Sequence, residues 1–246
     1  MLVGPTGSGK STTMCAMLSE LAREEVNVVT LEDPVEYDIA GVSQCQINEK
    51  TGMTFASGLM AILRQDPDII GVGEIRDSET ATIAARAAIT GHLVLSTLHT
   101  NDSISAVHRL MDIGVEPYMI SSALKGVISQ RLIRKVCPNC KTSYTPTDEE
   151  IKLLGISQTG DVKIYRGEGC PECHHSGYSG RQAVFEILTL SKKMRHMISE
   201  GTTEEEIAAE AAAGGFKSMK DSCRELVLSG VTTTEEALKA INSTAD

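Results

Sequence analysis

The chain has 246 residues, of which 41% are hydrophobic but only 3% aromatic, with no Trp, so its core has to be assembled from Ala, Val, Ile, Leu and Met. A net charge of −10 sets it against the phosphate backbone of nucleic acid and argues against a DNA or RNA translocase. The sequence shows no apolar run of about 18 residues and no basic stretch followed by an apolar one near Met1, so neither a membrane-spanning helix nor a secretory leader is expected.

Met1 to Val3 read as the end of a strand, and residues 10 to 24 as a helix. Val26 to Leu31 read as a buried strand, and Phe55, Leu59, Ile62 and Leu63 keep helical spacing. Ile69 to Val72 form a short apolar run ahead of Glu74. A helix over about 79–90 stops at Gly91, Leu93 to Leu98 read as a strand, and Asn101 or Asp102 is placed to cap the next helix. This alternation predicts an α/β fold with a parallel sheet. Residues 137 to 181 are rich in Cys, Pro and Gly, and beyond Glu186 the chain turns helical and acidic. Thr147 with Glu150, Thr203 with Glu206 and Thr233 with Glu236 match the T-x-x-E capping box. The expected organisation is a core over 1–136, a cysteine module over 137–181 and a helical subdomain over 182–246.

Gly4-Pro5-Thr6-Gly7-Ser8-Gly9-Lys10-Ser11 fits G-x-x-x-x-G-K-[ST], a loop whose glycines let backbone N–H groups close around phosphate oxygens at a helix N-terminus. Lys10 is expected to reach the β- and γ-phosphates and Ser11 to hold Mg²⁺, with Thr12 beside them among the nucleotide-binding residues. Glu74 follows the apolar run at a strand's C-terminal end, where ligands of open α/β sheets gather, and is a second candidate for Mg²⁺; the alternative is a solvated strand-end carboxylate. Glu32-Asp33-Pro34-Val35-Glu36 ends the preceding strand on the same edge, and a carboxylate there could orient an attacking water, or else form an acidic turn around Pro34. His99 sits on that edge too, as a γ-phosphate contact or a structural residue. His92 falls at the opposite end of its strand.

Four of the seven cysteines form two C-P-x-C knuckles, Cys137/Cys140 and Cys170/Cys173, and with no sign of secretion they point to a tetrahedral Zn²⁺ site rather than to disulfides. His174 and His175 follow directly, but four thiolates already fill such a site. Cys15, Cys45 and Cys223 are scattered.

The stretch Leu63-Arg64-Gln65-Asp66-Pro67-Asp68-Ile69-Ile70-Gly71-Val72-Gly73-Glu74-Ile75-Arg76-Asp77 resembles the signature of the motor ATPases of type IV pilus assembly and type II secretion. Glu32 to Glu36 resemble that family's Asp box, and Gly91-His92 through His99 its His box. The resemblance runs over essentially the whole chain. It implies a RecA-like P-loop ATPase core with ATP as substrate, Glu36 as general base and Glu74 supporting Mg²⁺, with Glu32 the next candidate base. Assembly and secretion motors carry a tetracysteine insert that pilus retraction motors usually lack. Gly177-Tyr178-Ser179-Gly180-Arg181 through Glu186 resembles the stretch that follows it.

The resemblance further implies a homo-oligomeric ring, a hexamer, working peripherally at the cytoplasmic face of the membrane on an inner-membrane platform protein, and the acidic charge argues against a direct nucleic-acid partner. A DNA-uptake or conjugation motor and a non-catalytic zinc-stapled fragment remain as alternatives. Members of the family carry a further domain and several strands ahead of the phosphate loop, which here begins three residues after Met1. The expectation is a truncated chain that lacks the arginines offered by that domain, and therefore a poor ATPase by itself, with Arg131 or Arg76 as the substitute if one exists.

Overall fold

Leu2 and Val3 are buried and form β1, which pairs in parallel on both sides and so lies inside the sheet rather than at its edge. The computed structural model describes residues 1–156 and 162–242. The cysteine module and the C-terminal subdomain expected from the sequence are thus described except at 157–161 and 243–246.

From β1 the chain enters α1 (Lys10–Leu21), β2 (Val28–Glu32), β3 (Val42–Gln46), α2 (Phe55–Ile62), β4 (Ile69–Val72), α3 (Ser78–Ile89), β5 (Leu93–Leu98), α4 (Ser105–Asp112) and α5 (Pro117–Ala123). The strands, with β6 (Gly126–Val136) and β9 (Tyr178–Thr189), make one seven-stranded sheet of order β3-β2-β4-β5-β1-β6-β9, parallel except at β9. Side chains alternate between the two faces, as the strand period requires. Val29, Leu31, Ile70 and Val72 pack with the helices of one layer, and Val28, Ile69 and Leu95 pack with Met14 and Leu18 of α1 on the other.

The helix expected to reach residue 24 stops at Leu21, because Ala22 turns to an extended conformation (ψ 114°) and the chain re-enters the sheet at Val28. The strand expected over 26–31 is correspondingly shifted, since Val28 is the first residue paired to both Val42 and Ile69. Asp102 rather than Asn101 caps the approach to α4: its carboxylate accepts from the N–H groups of Ile104 and Ser105 at 2.9 and 2.7 Å.

β6 and β9 form a long antiparallel ribbon. The cysteine segment is inserted between them and contains β7 (Lys141–Tyr144), α6 (Asp148–Leu154) and β8 (Ile164–Gly167), with β7 and β8 paired antiparallel. After β9 come α7 (Lys192–Ser199), α8 (Glu204–Ala213), α9 (Met219–Leu228) and α10 (Thr234–Asn242). Two helices of this half pack on the ribbon: Met219, Cys223 and Val227 of α9 and Ala237 and Ala240 of α10 join Ile133, Leu154, Ile164 and Val184 in a separate core. No helix among the described residues is long and apolar enough to cross a membrane.

Two of the three expected capping boxes form reciprocally, at Thr147/Glu150 and Thr203/Glu206. The third is half made. Thr233 Oγ1 accepts from the Glu236 N–H at 3.3 Å, but the Glu236 carboxylate turns instead to the Arg134 N–H at 3.1 Å and guanidinium at 2.7 Å. The partly buried, charge-assisted contact with Arg134 outcompetes the local backbone bond. The Arg134 guanidinium, ahead of lesser contacts, holds Glu236 down to about 2. A carboxylate with a depressed folded-state pKa contributes stability that is present above its unfolded value and lost as pH falls. Glu236→Gln should therefore cost on the order of 2 kcal/mol at pH 7 in urea denaturation, and the gap to the unmodified protein should close as pH falls from about 4.5 toward 2.

Candidate functional site

Parallel strands β1, β2, β4 and β5 all end on one edge of the sheet, and each delivers a polar segment there. β1 runs into Gly4–Gly9, and β2 ends in Glu32 to Glu36. Glu74 follows β4, and His99 follows β5. Thr6 to Thr12, Glu32, Glu36, Glu74 and His99 line a single cavity of about 390 Å³. The structure thus brings together the candidates read from the sequence, except Gly4 and Pro5, which form the loop's inner end.

The loop is held from behind by β6. Gly4 has φ +143°, and a Cβ there would lie 2.5 Å from the Gln130 carbonyl oxygen. Gln130 is buried; its amide donates to the Ser8 carbonyl at 2.8 Å and its Oε1 accepts from Thr13 Oγ1 at 2.8 Å, tying both ends of the loop-to-helix turn to one strand. Its neighbour Arg131, also buried, donates to the Asn101 carbonyl at 2.6 Å.

Inside the loop, the Lys10 ammonium donates to the carbonyls of Gly4 at 2.7 Å and Pro5 at 3.1 Å. Burial lowers its pKa, Glu74 works against that, and Arg131 adds to it. The buried Ser8 hydroxyl has no partner among the described residues. An inward-turned ammonium, an orphaned hydroxyl and the N-terminus of α1 together suit an anionic oxygen cluster. Ser11 and Glu74 supply hard oxygen donors of the kind a divalent cation takes.

Glu74 is paired with Arg76, whose ionisation it raises first through their hydrogen bond, and lies 3.7 Å from His99 Nε2. The His99 pKa is lowered, by burial first and then by Lys10, while Glu74 pulls the other way, so the ring tends to stay neutral. Glu32 accepts from Thr30 Oγ1 at 2.5 Å and Gln44 Nε2 at 2.9 Å, whereas Glu36 is exposed at the cavity wall. Glu32 is thus engaged in the sheet and Glu36 faces solvent. His92 accepts its place from its own end of the sheet: Nδ1 lies 2.9 Å from the Ala87 carbonyl and 3.2 Å from Thr90 Oγ1, far from this edge in topology.

Two residues of the site carry no motif in the sequence: Gln130, which stands behind the loop, and Arg181 of β9, which lines the cavity. The available signal for Gln130 is a polar Ser129-Gln130-Arg131 run set between the apolar pairs Val127-Ile128 and Leu132-Ile133.

Away from this edge, Cys137, Cys140, Cys170 and Cys173 place their sulfurs within 4.8 Å of one another, and none is in a disulfide. The Cys137–Cys170 and Cys140–Cys173 separations are 3.9 Å and the Cys170–Cys173 separation is 3.7 Å. Four sulfurs at about 2.3 Å from one ion would stand about 3.8 Å apart along the edges of a tetrahedron, so this group could hold a metal ion. Cys173 Sγ accepts from the N–H groups of Cys170 at 3.2 Å and Gly177 at 3.3 Å, and the Cys170 N–H foremost holds its thiol down to about 6. His174 and His175 are exposed, with left-handed backbones, and stand outside the cluster.

Residues 1–239 match the type II/IV secretion system protein family. The type II secretion system protein E of Pseudomonas aeruginosa is 49% identical over 239 residues, covering 97% of this chain and 47% of that relative. The type IV pilus assembly ATPase PilB of Thermus thermophilus is 49% identical over 240 residues, covering 97% of this chain and 27% of its own length. Among solved structures, the pilus retraction motor PilT with bound ADP superposes with a TM-score of 0.72 at 32% identity, covering 98% of this chain and 61% of that one. The chain spans about half the length of the curated type II relatives it matches.

The packing behind the loop predicts a contrast between two glycines. Gly4→Ala places a methyl 2.5 Å from the Gln130 carbonyl and 2.9 Å from Ser8 Oγ, whereas a Cβ at Gly7 meets nothing within 4 Å. Thermal or urea denaturation should show a loss on the order of 3 kcal/mol for Gly4→Ala and about 1 kcal/mol for Gly7→Ala, which bears only the left-handed backbone penalty. Equal losses would mean that β6 does not bear on the loop.

Proposed function

Since the chain belongs to the type II/IV secretion system protein family, we propose that it is an ATP-hydrolysing motor subunit that powers type IV pilus assembly or type II protein secretion. The observation that carries this reading is the convergence of Lys10, Glu36, Glu74 and His99 on one cavity floored by the phosphate loop.

In this reading the backbone of Gly4 to Gly9 and the N-terminus of α1 cradle the phosphates of ATP, and the Lys10 ammonium exchanges its carbonyl partners for the β- and γ-phosphate oxygens. Ser11 and Glu74 hold Mg²⁺, which when bound offsets phosphate charge. Glu36 takes a proton from a water as its oxygen attacks the γ-phosphorus; the bond to the ADP oxygen breaks, and ADP and phosphate leave. Its exposure suits that part better than the doubly hydrogen-bonded Glu32. His99, 3.7 Å from Glu74 on the same cavity, reports the γ-phosphate. Residues 1–136 form the hydrolytic core, 137–181 the zinc module and 182–246 the helical subdomain. The subunit works in a homo-oligomeric ring, a hexamer, at the cytoplasmic face of the inner membrane against a platform protein. The acidic charge of −10 weighs against a nucleic-acid substrate.

Two variants separate binding from chemistry. Lys10→Ala should weaken ATP binding by at least about tenfold, because it removes charge that contacts the ground state. Glu36→Gln should leave the ATP dissociation constant within about threefold and cut kcat by roughly 10²- to 10⁴-fold, as loss of a general base does. Titration calorimetry and steady-state turnover measure the two. Equal loss of binding in both would remove Glu36 from the chemical step.

Zn²⁺ is the ion we assign to the four cysteines, on their all-sulfur donor set and near-tetrahedral edges. Elemental analysis of protein purified without chelator should find about one zinc per chain, and Cys173→Ser should lower both zinc content and melting temperature, since structural zinc contributes on the order of 10 kcal/mol to small modules. A metal-free protein of unchanged stability would remove the assignment.

A further inference from the structure

Glu186 stands on β9, outside the cavity lining, and its side chain is buried, 6% exposed. A carboxylate is costly to bury unless its oxygens accept hydrogen bonds, and both of these do. Oε1 accepts from the Ser103 N–H at 2.8 Å and from the Ser103 hydroxyl at 2.6 Å. Oε2 accepts from the N–H of Met219, the first residue of α9, at 2.9 Å. One side chain thus joins two segments that are 116 residues apart in sequence, Ser103 and Met219 (219 less 103).

Each segment leads somewhere. Ser103 closes the stretch that starts at His99 on the cavity wall. That stretch is anchored along its length: Thr100 and Ser103 are buried, the Asn101 carbonyl is held by Arg131, and Asp102 is bound into the start of α4. Met219, Cys223 and Val227 of α9 lie in the second core with Ala237 and Ala240 of α10. A segment held by buried hydrogen bonds and joined to a packed core transmits displacement rather than absorbs it. The helix N-terminus adds a favourable dipole for the anion. Glutamine cannot replace it fully, because three donors converge on two anionic oxygens and an amide would turn an N–H toward one of them.

We propose that Glu186 is a positioning residue that couples the His99–Ser103 segment to the C-terminal helices through α9, so that the nucleotide state of the cavity is carried to α9 and α10. The proposal rests on the ATPase reading above, and the test keeps the two apart. Amide hydrogen exchange of the unmodified protein, with and without a non-hydrolysable ATP analogue, should show slower exchange across Met219–Cys223 in the presence of the analogue, by at least about threefold. In Glu186→Gln the analogue should bind within about threefold of normal, the α9 response should vanish, and kcat should fall about tenfold with KM little changed. Ser103→Ala, which removes one bond on the loop side alone, should reduce the response and serves if Glu186→Gln does not fold. Ser218→Ala removes the side-chain cap of α9, whose Oγ accepts from the Asp221 N–H at 3.2 Å, and leaves the Glu186 bonds intact. It should lower stability yet keep the response.

An α9 response that persists in Glu186→Gln, or in Ser103→Ala if that is the variant that folds, overturns the coupling, as does its loss in Ser218→Ala. Nucleotide binding without any α9 response in the unmodified protein also overturns it while leaving the ATPase reading intact. Absence of nucleotide binding in the unmodified protein overturns the ATPase reading and the coupling with it.

Discussion

β1 is two residues long, yet it is hydrogen-bonded to β5 on one side and β6 on the other, and the phosphate loop begins at the next residue. That placement puts Gly4 directly beside Gln130, since Leu2 and Val3 pair with Ile128 and Ser129. The loop is therefore shaped by its neighbour strand as much as by its own glycines. Only a residue without a side chain fits between the loop and the Gln130 carbonyl, and the Gln130 amide then ties Ser8 and Thr13 into the same turn. The Lys10 ammonium, bound to the Gly4 carbonyl, takes its position from this turn.

The charges at the cavity lie close enough to act on one another. Lys10 is partly desolvated and lies near Glu74, which is itself paired with Arg76 and close to His99. Burial and Lys10 keep the imidazole toward its neutral form, so it can donate or accept a hydrogen bond without adding positive charge to the loop. Burial alone would lower the charge on Lys10; the Glu74 carboxylate opposes that. An inward-turned ammonium in such a loop suits a phosphate-bearing ligand, and the similar proteins include a pilus assembly ATPase and a retraction motor with bound ADP.

The β6–β9 ribbon gives the molecule its second level of organisation. It supplies Gln130 and Arg131 to the back of the loop, Arg181 to the cavity and Glu186 to the junction with α9. At its far end it carries the tetracysteine cluster, whose connections leave β6 after Val136 and rejoin at Tyr178. Arg134 stacks on the Tyr178 ring at 3.9 Å and binds Glu236, so the ribbon end, the cysteine segment and α10 are fastened together by one guanidinium. A two-stranded ribbon alone is marginal in water, and the second core of α6, α9 and α10 side chains is what stiffens it.

The sequence by itself determined the phosphate loop, the strand-end carboxylates and the paired cysteine knuckles. Each is a short pattern whose spacing already contains its geometry: glycines at left-handed positions, an acid one or two residues beyond an apolar run, two thiols on one tight turn. The alternating apolar runs likewise made the parallel sheet legible, because its strands are buried on both faces. The polar edge strand β3, Val42-Ser43-Gln44-Cys45-Gln46, was not legible, since half-exposed residues carry no such run. Nor were Gln130 and Glu186. Their meaning lies in contacts with Ser8, Ser103 and Met219, which stand far from them along the chain. The Thr233 capping box is only half made for the same reason: Glu236 meets Arg134 only once β6 and α10 are packed together. Local backbone chemistry is written in neighbouring residues, whereas the partner of a buried polar group is chosen by tertiary packing, and only the fold decided those partners.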